Sequence, residues 1–544
     1  MGKLAWWKNA VIYQIYPRSF MDSNNDGDGD LLGIIEKLDY LASLGVDALW
    51  LSPIYASPMD DNGYDVSNYF EINPMFGTMD DFDELVLKAK ERNIKIIMDL
   101  VCNHTSIEHP WFKEAISNPN SIYHDFYLFR KHPDDKRSSF GGSAWCYVPE
   151  LDEYYYHYFD VSQADLNWAN PLVRKEVANI VKFWLDKGCG GFRLDAIELI
   201  GKELEENIIC NGPRIHEYLH DLNVQSFALY PDTMSVGEGW PTVPIALDYT
   251  KEERQELNML FQFETCTLDW NFENQFGKYD PIKVDPTRLK ESITRWQEGL
   301  ASEGWNTLFL ENHDLGRSVS RYGDDKFYRV ESAKMLATMM YFLKGTPFLY
   351  QGQELGATNP HFTDLALYDD VDTLTKYKEF VLDLKVMSHE KFIEGILQNS
   401  RDNGRTPMHW DDSTNAGFNK GAKPWLSVNS NYHEINAKEQ INNPNSVFNY
   451  YKNLISLRKG TLKDLLINGT YKHLKHLELN DDMFVYEVKY QNEYVRVILN
   501  LGKEEISIDN LTFNTDNVIV CNYTDITNKL RPFEAIVLGG KCDE

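Results

Sequence analysis

Apolar runs that end in polar residues recur along this chain, and each predicts a buried strand. Eight such runs are present, and stretches with the apolar period of an α-helix lie between most of them. Alternation of this kind indicates an α/β fold, a closed (β/α)8 barrel whose active site lies at the carboxyl ends of the strands. The predicted strands are Val11–Tyr16, Ala48–Ser52, Ile94–Leu100, Gly191–Asp195, Met234–Glu238, Met259–Phe263, Thr307–Asn312 and Pro347–Gln351, and the helices include Leu31–Leu44, Met79–Glu91, Pro171–Lys187, Pro286–Gly299 and Val330–Leu343.

Two intervals interrupt the alternation and predict further domains. Residues 103–170 are too long for a simple connection after the third strand, so we expect an inserted subdomain that stands over the active site. After about residue 466 the helical pattern gives way to apolar and polar alternation with Asn and Gly turns, which predicts an antiparallel β domain. The expected division is a barrel at 1–102 and 171–465, the insertion at 103–170, and a C-terminal β-sandwich at 466–544.

The charge and composition narrow the classes of partner. The chain has 544 residues, a hydrophobic fraction of 43% and a formal net charge of −29. That charge would repel phosphates, so we expect no nucleic-acid partner and a neutral substrate instead. We also expect no membrane partner and a cytoplasmic location, because no segment could span a bilayer and Met1–Lys8 lacks the apolar core of a signal peptide.

Four short segments, each at the end of a predicted strand, carry carboxylates. Side chains in such positions meet at the rim of a barrel. Three carboxylates with an Arg and two His beside them are the groups that cleavage of a glycosidic bond requires. The segments are Ile96–His104, Gly191–Ala196, Ser235–Trp240 and Leu308–Asp314.

Together these segments resemble the α-amylase superfamily (glycoside hydrolase family 13), whose members are retaining α-glycosidases built on a (β/α)8 barrel. The resemblance covers nearly the whole chain. Three further runs are similar to the bacterial α-glucosidase and oligo-1,6-glucosidase branch, namely Ile12–Phe20, Gln163–Trp168 and Arg401–Met408. The resemblance therefore implies a glycosidase that acts on small oligosaccharides.

The chemistry of this family assigns the catalytic roles. Asp195 is the candidate nucleophile that forms a covalent glycosyl-enzyme, and Glu238 is the candidate general acid and then base. Glu238 must be protonated at rest, so we expect its pKa to be raised. Arg193 lies two residues before Asp195, on the same side of the strand, and can orient that carboxylate. Asp314 resembles the third carboxylate of the family, which binds sugar hydroxyls and helps to distort the ring.

The resemblance also implies how one sugar is held. Tyr64 and Asp65 resemble the residues that stack on the terminal sugar and bind its hydroxyls, and Arg401 resembles the arginine that pairs with that aspartate. Such a pair would close the pocket behind one sugar and give an exo-acting enzyme, although Arg405 is an alternative partner. The remaining candidates to bind sugar hydroxyls are His104 and His313.

The acidic segment Asp22–Asp30 has oxygen ligands at alternate positions, which suits Ca²⁺. It is not an EF-hand, since the twelfth position of that count is Gly33. It resembles the calcium loop that follows the first strand in this branch, which implies a structural calcium ion. A solvated acidic turn without a metal is the alternative. The extra carboxylate at position 28 means that Mg²⁺ is also a possible ion. The implied ligands are Asp22, Asn24, Asp26 and Asp30 by their side chains and Asp28 by its backbone carbonyl.

Linkage preference is predicted from the residue after the nucleophile. In this branch Val there accompanies α-1,6 preference, whereas this chain has Ala196. We therefore expect α-1,4 bonds to be preferred over α-1,6, although such apolar differences contribute only about 1–3 kcal/mol. An oligo-1,6-glucosidase and a sucrose isomerase or transglucosylase remain alternatives. A hydrolase of phosphorylated disaccharides would need a cationic phosphate site, which the sequence does not reveal. A non-catalytic relative is disfavoured because all the carboxylates are intact.

Overall fold

The computed structural model describes residues 4–509 and 515–541. The parts of the predicted domains at 1–3, 510–514 and 542–544 lie outside the described residues. Eight strands form one parallel sheet in the order β6-β5-β4-β3-β2-β1-β8-β7, which confirms the predicted barrel. They are β1 (Ile12–Ile15), β2 (Ala48–Leu51), β3 (Lys95–Leu100), β4 (Gly191–Leu194), β5 (Met234–Gly237), β6 (Met259–Leu260), β7 (Thr307–Leu308) and β8 (Thr346–Tyr350).

The barrel closes between β6 and β7 through a side chain. Thr307 Oγ1 donates a hydrogen bond to the carbonyl oxygen of Leu260, at 3.3 Å. Inside the barrel, Trp50, Phe261 and Phe348 pack on one another, with ring centroids 4.6–6.4 Å apart. This aromatic layer forms the floor beneath the carboxyl ends of the strands, where burial of apolar area stabilises the fold.

Helices cover the barrel where the apolar period predicts them. Asn170 caps the helix Pro171–Asp186, and Asp285 caps Pro286–Gly299, in each case by accepting a backbone N–H. Both helices place proline in the first turn, where its missing N–H costs nothing. The predicted helix Leu31–Leu44 is divided at Lys37. The other helices over the predicted stretches are Met79–Glu91 and Arg329–Tyr341.

The insertion after β3 is attached to the barrel rim by its two ends. Its strands His104–Ser106 and Gln163–Asp165 pair antiparallel, and a buried ion pair of 2.9 Å joins Asp165 to Lys202, which follows β4. A three-stranded antiparallel sheet extends from this base; its strands are Phe129–Arg130, Trp145–Val148 and Glu153–Tyr156.

The C-terminal part contains a five-stranded antiparallel sheet in the order β9-β10-β11-β13-β12. One face packs on the barrel, where the Tyr486 hydroxyl donates to the Met339 carbonyl at 2.9 Å. The short ribbon formed by Ile506–Ser507 and Lys529–Leu530 packs against the apolar side chains of the other face. The strands are β9 (Thr470–His473), β10 (Met483–Tyr490), β11 (Glu493–Asn500), β12 (Val518–Cys521) and β13 (Ala535–Lys541).

The sequence pattern did not predict the helix at the boundary of the C-terminal domain or the course of the long segment after β8. The helix Lys463–Asn468 crosses the predicted domain boundary at 466, so the first C-terminal strand begins later. After β8, residues 352–446 run back over the active-site end and include the helices Val371–Tyr377 and His389–Asn399. No helix within residues 4–509 and 515–541 is long and apolar enough to cross a bilayer.

Candidate active site

The two predicted catalytic carboxylates lie on neighbouring strands. Leu194 at the end of β4 is in register with Gly237 at the end of β5, so Asp195 and Glu238 are the next residues of adjacent strands, whose axes are about 4.8 Å apart. Both carboxyl groups contact the guanidinium of Arg193. They therefore lie close together, as a retaining glycosidase requires of its catalytic pair.

A single arginine holds both carboxylates. Arg193 Nη1 lies 2.7 Å from Asp195 Oδ1, and its Nη2 lies 2.6 Å from Glu238 Oε2. Nη1 also lies 2.8 Å from Oδ1 of Asp99, a buried carboxylate at the end of β3 to which Trp50 Nε1 donates. Burial alone would lower the pKa of Arg193, but the surrounding carboxylates raise it well above its usual range. The guanidinium is thus a fixed positive charge at the centre of the site.

The pKa values of both carboxyl groups are raised. Burial raises the pKa of Glu238 to about 8, against the opposing effect of Arg193, and the neighbouring charge of Asp195 raises it further. Burial also raises the pKa of Asp195 to about 7, and the charge and hydrogen bond of Arg193 oppose that shift. The two groups therefore titrate as a coupled pair that holds one proton near neutral pH.

Asp314 lines the same cavity and contacts two arginines and a histidine. Its Oδ1 lies 3.0 Å from Arg405 Nη2 and 3.6 Å from Arg401 Nη1, and its Oδ2 lies 3.3 Å from His313 Nε2. Burial alone would raise the pKa of Asp314, but these neighbours lower it well below its usual range. Burial lowers the pKa of His313 to about 3, so near pH 7 the histidine is neutral and the arginines carry the positive charge.

The hydrogen bonds of His313 define its tautomer. The Tyr64 hydroxyl donates to Asp99 Oδ2 at 3.0 Å, so at 2.6 Å from His313 Nε2 it accepts. His313 Nδ1 then accepts from Gln14 Nε2 at 2.8 Å. The rings of Tyr64 and His313 are nearly parallel, with an interplanar angle of 6°. Both side chains are thereby fixed as walls of the pocket.

The structure corrects the predicted partner of Arg401. Asp65 does not pair with Arg401; it is fully buried and accepts the backbone N–H groups of residues 60 and 61, which makes it a support of that turn. The aspartate that meets Arg401 is Asp61, at 3.0 Å, and Asp370 from the segment after β8 lies 2.6 Å away. The predicted closure of the pocket is therefore present, but it is formed by Asp61.

His104 lies behind this closure. Its Nε2 is 2.9 Å from the Tyr64 carbonyl oxygen and 3.2 Å from Gln163 Nε2, and Gln163 also donates to Asp61 Oδ2 at 3.1 Å. Burial lowers the pKa of His104, so the imidazole is neutral near pH 7. Gln163 lies in the run that resembles the family, and its side chain contacts both the histidine and the aspartate that closes the pocket.

These side chains line one cavity of about 220 Å³. The volume is below the about 300–1,000 Å³ of sites for drug-sized ligands, so the space suits a small ligand such as a sugar. The Asp61–Arg401 pair closes one end, and the other end passes Trp240, whose surface is 46% exposed. Phe140 lies near Arg401 and Phe159 near His104, at the closed end. The remaining lining residues are Tyr158, Ala196, Glu198, Leu199, Gly239, Trp240, Phe263, Trp270 and Lys278.

Ala196 lies between the nucleophile and this open side. Its backbone is in the left-handed region, with φ 44° and ψ 41°, which is uncommon for a residue with a Cβ. The turn directs its N–H toward Glu238 Oε2, to which it donates at 3.0 Å. The conformation thus provides a hydrogen bond to the candidate acid and presents only a methyl group to the cavity.

The carboxylates of the acidic loop Asp22–Asp30 accept hydrogen bonds from the backbone of the loop itself. Three loop backbone N–H groups donate to the carboxylate of Asp22, and a fourth donates to Asp30. Asp28 pairs with Arg18 at 2.7 Å. Nowhere in the described part of the chain do three or more His, Cys, Asp or Glu side chains converge as metal ligands. Calcium therefore stays a prediction, with the expected ligands Asp22, Asn24, Asp26, Asp28 and Asp30.

Comparisons with known proteins agree with this geometry. The family model of the alpha amylase catalytic domain matches residues 14–469. The oligo-1,6-glucosidase of Bacillus cereus is 47% identical, over 98% of this chain and 99% of that protein. Among solved structures, trehalose-6-phosphate hydrolase of Bacillus licheniformis has a TM-score of 0.92 at 42% identity, covering 99% of this chain and 100% of that one. Isomaltulose synthase of Klebsiella sp. LX3 also has a TM-score of 0.92, at 38% identity, with 99% and 100% covered.

Two carboxyl groups on adjacent strands of a (β/α)8 barrel are the pair that glycoside hydrolases use, and the family match shows that the chain is a glycoside hydrolase. The chain belongs to the α-amylase family, glycoside hydrolase family 13, in the branch that includes the bacterial α-glucosidases.

Proposed function

We propose that this protein is a retaining, exo-acting α-glucosidase that releases single glucose units from the non-reducing ends of short α-glucosides. The observation that carries the proposal is the one-sugar pocket: Asp61 and Arg401 close it 3.0 Å apart, and Asp195 and Glu238 meet one guanidinium at its open side. A chain that passed through the site would have to displace this buried ion pair, which is costly.

The mechanism follows from the two carboxyl groups. A carboxylate oxygen of Asp195 attacks the anomeric carbon while Glu238 gives its proton to the departing glycosidic oxygen, so that the sugar–oxygen bond breaks and a glycosyl-enzyme forms. Glu238 then accepts a proton from water, and the hydroxide equivalent displaces Asp195 from the sugar. Two inversions leave the released glucose in the α configuration.

Arg193 and Asp314 support this sequence from fixed positions. Arg193 keeps Asp195 oriented and provides a permanent positive charge beside it. Asp314 is ionised and held by two arginines, so it is placed to accept hydrogen bonds from sugar hydroxyls without reorganising. The side chains of Tyr64, His104 and His313 line the same end of the cavity as further sugar contacts.

The reaction is expected to depend on pH through the carboxyl pair. Turnover needs Asp195 ionised and Glu238 protonated, and the raised pKa values of about 7 and 8 place that state near neutrality. We therefore expect kcat/KM for an α-glucoside to be greatest at about pH 7–8. It should fall above pH 8 as Glu238 loses its proton, and at lower pH as the pair takes up a second proton. A profile that stays flat down to pH 5 would contradict the raised pKa values.

The preferred linkage is proposed from Ala196. Its methyl group leaves room on the open side for a leaving glucose joined through its 4-hydroxyl, which favours α-1,4 bonds. The 47% identical relative is named an oligo-1,6-glucosidase, which supports α-1,6 activity as a second candidate. The similarity to an isomaltulose synthase supports a third candidate function, isomerisation or transglucosylation, in which a sugar rather than water reacts with the glycosyl-enzyme.

A panel of substrates distinguishes these functions. The protein is incubated separately with maltose, isomaltose, sucrose and trehalose, and the products are resolved by anomer and linkage. An α-glucosidase releases α-glucose from maltose or isomaltose. Isomaltose cleaved far faster than maltose would overturn the α-1,4 preference, and isomeric disaccharides as the main products from sucrose would favour an isomerase over a hydrolase.

Replacement of Ala196 by valine is expected to shift the ratio of linkages. The two added methyl groups occupy the space of the leaving sugar, so kcat/KM for maltose should fall about tenfold or more relative to isomaltose. The β-branched side chain is also strained at a positive φ, so a lower Tm is expected. A196G is the matched control, since it relieves the strain and keeps the space. An unchanged ratio in A196V would show that this position does not set the linkage.

A further inference from the structure

The open side of the cavity carries a carboxylate that has no cationic partner. Glu198 lines the cavity, and its Oε2 accepts hydrogen bonds from the Trp240 backbone N–H at 2.9 Å and from Asn211 Nδ2 at 3.4 Å. Within the described residues no ion pair joins Glu198 to Lys, Arg or His, and no hydrogen bond reaches its Oε1. The carboxylate is thus fixed by neutral donors, with one oxygen left for a ligand.

The position of Glu198 relative to the reaction follows from its contacts. Gly239 and Trp240 directly follow Glu238, which serves the leaving oxygen. A Cβ at Gly239 would lie only 3.1 Å from Glu198 Oε2, so the glycine allows the backbone to rest directly on this carboxylate. Glu198 therefore lies on the side where the leaving group departs, away from the closed end of the pocket.

The cations that line the cavity do not compensate this charge. Arg401 is at the closed end, in contact with Asp61 and Asp370. Lys278 is on the open side, but its Nζ lies 2.5 Å from Asp372 Oδ2 and is neutralised there. The carboxylate of Glu198 therefore lies on this wall without a cation to offset its charge.

We propose that Glu198 sets the charge selectivity for the leaving group: the enzyme accepts neutral and cationic leaving groups and rejects anionic ones such as sugar phosphates. This inference rests on the proposed α-glucosidase function. Two charges a few ångströms apart in a partly buried site interact strongly enough to change a rate constant about tenfold. A carboxylate that accepts hydrogen bonds without a cation beside it repels an anion and still binds hydroxyl or ammonium groups.

The test uses three aryl α-glucosides whose leaving groups carry a neutral, an anionic or a cationic substituent at the same remote position. The leaving groups are 4-(carbamoylmethyl)phenol, which is neutral, 4-(carboxymethyl)phenol, which is anionic, and 4-(aminomethyl)phenol, which is cationic near pH 7. We compare kcat/KM for each charged glucoside with that for the neutral one, in the wild type and in E198Q. The ratio cancels any common effect of the substitution on catalysis.

We expect E198Q to raise the anionic-to-neutral ratio about tenfold and to lower the cationic-to-neutral ratio. E198D keeps the charge and should retain wild-type ratios. E205Q removes one charge from an exposed position, where it pairs with Arg130, and controls for the net charge of the protein. If E198Q does not fold, judged by its thermal transition, E198A provides the same comparison.

The outcomes separate this inference from the proposed function. Ratios that are the same in the wild type and E198Q, with the neutral glucoside still cleaved, would overturn the role of Glu198 and leave the α-glucosidase function intact. Equal changes in E198Q and E205Q would assign the selectivity to overall charge and also overturn it. A wild-type protein that cleaves none of the glucosides would overturn the proposed function itself.

Discussion

Replacing Asp195 by alanine is expected to abolish the hydrolysis of α-glucosides, with kcat lower by more than about 10⁴-fold, because the covalent step then has no nucleophile. Azide should restore turnover of α-glucosyl fluoride, a donor whose leaving group needs no proton. The anion fits the space of the missing carboxylate and attacks from the same face of the sugar. One inversion then yields β-glucosyl azide, which NMR of the anomeric proton identifies.

E238A is the matched variant, because it removes the other member of the pair and keeps the nucleophile. An activated donor still forms the glycosyl-enzyme on Asp195, and azide then attacks from the opposite face without needing a general base. Two inversions yield α-glucosyl azide. The two variants are therefore expected to give opposite anomers. The same anomer from both, or hydrolysis by D195A at the wild-type rate, would contradict the assigned roles.

The pair was predictable from the sequence because each carboxyl group directly follows a strongly patterned strand. A residue that ends a buried parallel strand has a known place, the rim of the barrel, and two adjacent strands bring their ends together. This is why Asp195, Glu238 and Arg193 meet as expected once Leu194 and Gly237 are in register. The eight strands themselves follow from the apolar period, although β6 and β7 each have only two residues in strand conformation.

The sequence did not predict Asp61 as the partner of Arg401, because the position of Asp61 depends on the conformation of a loop. It precedes Asn62 and Gly63, both with positive φ, and this turn points Asp61 into the cavity and Asp65 toward backbone N–H groups. Apolar periodicity carries no information about such a turn. The positions Asn62 and Gly63 are a turn signal, but they do not reveal which neighbouring aspartate faces the sugar.

Asp370 was missed for a related reason. It lies in the long segment after β8. This segment does not follow the alternation of strands and helices from which the positions of barrel residues were predicted. Its partner Arg401 was identified only through a family resemblance. The two meet because residues 352–446 return over the active-site end, and neither length nor charge of that segment predicts the contact.

Replacing Arg193 by methionine is expected to destabilise the fold by about 3–5 kcal/mol near pH 7, since it leaves buried carboxylates without their cation. Asp99, Asp195 and Glu238 all contact this guanidinium, and the arginine itself is only 1% exposed. Activity should fall with stability, because Asp195 then stays protonated near neutrality. Thermal or urea unfolding of both proteins, followed from pH 5 to pH 9, measures the effect.

The sign of the pH dependence follows from the raised pKa values. Burial raises the pKa values of Asp99, Asp195 and Glu238 to about 6, 7 and 8, above the about 4 of the unfolded chain. Between pH 4 and 8 the folded state therefore binds more protons, and these groups lower the stability as pH rises through that window. Without Arg193 the folded pKa values rise further, so the deficit of R193M should be greatest at pH 9 and smallest at pH 5.

A double variant, R193M with D195N, distinguishes this electrostatic cause from lost packing. Removing one of the buried carboxyl charges lessens the penalty, so the double variant should be more stable than R193M at pH 8, whereas the two should differ little at pH 5, where the carboxyl groups of R193M are protonated. If the deficit of R193M is the same at every pH and D195N does not reduce it, loss of packing, and not the charge of Arg193, accounts for the destabilisation.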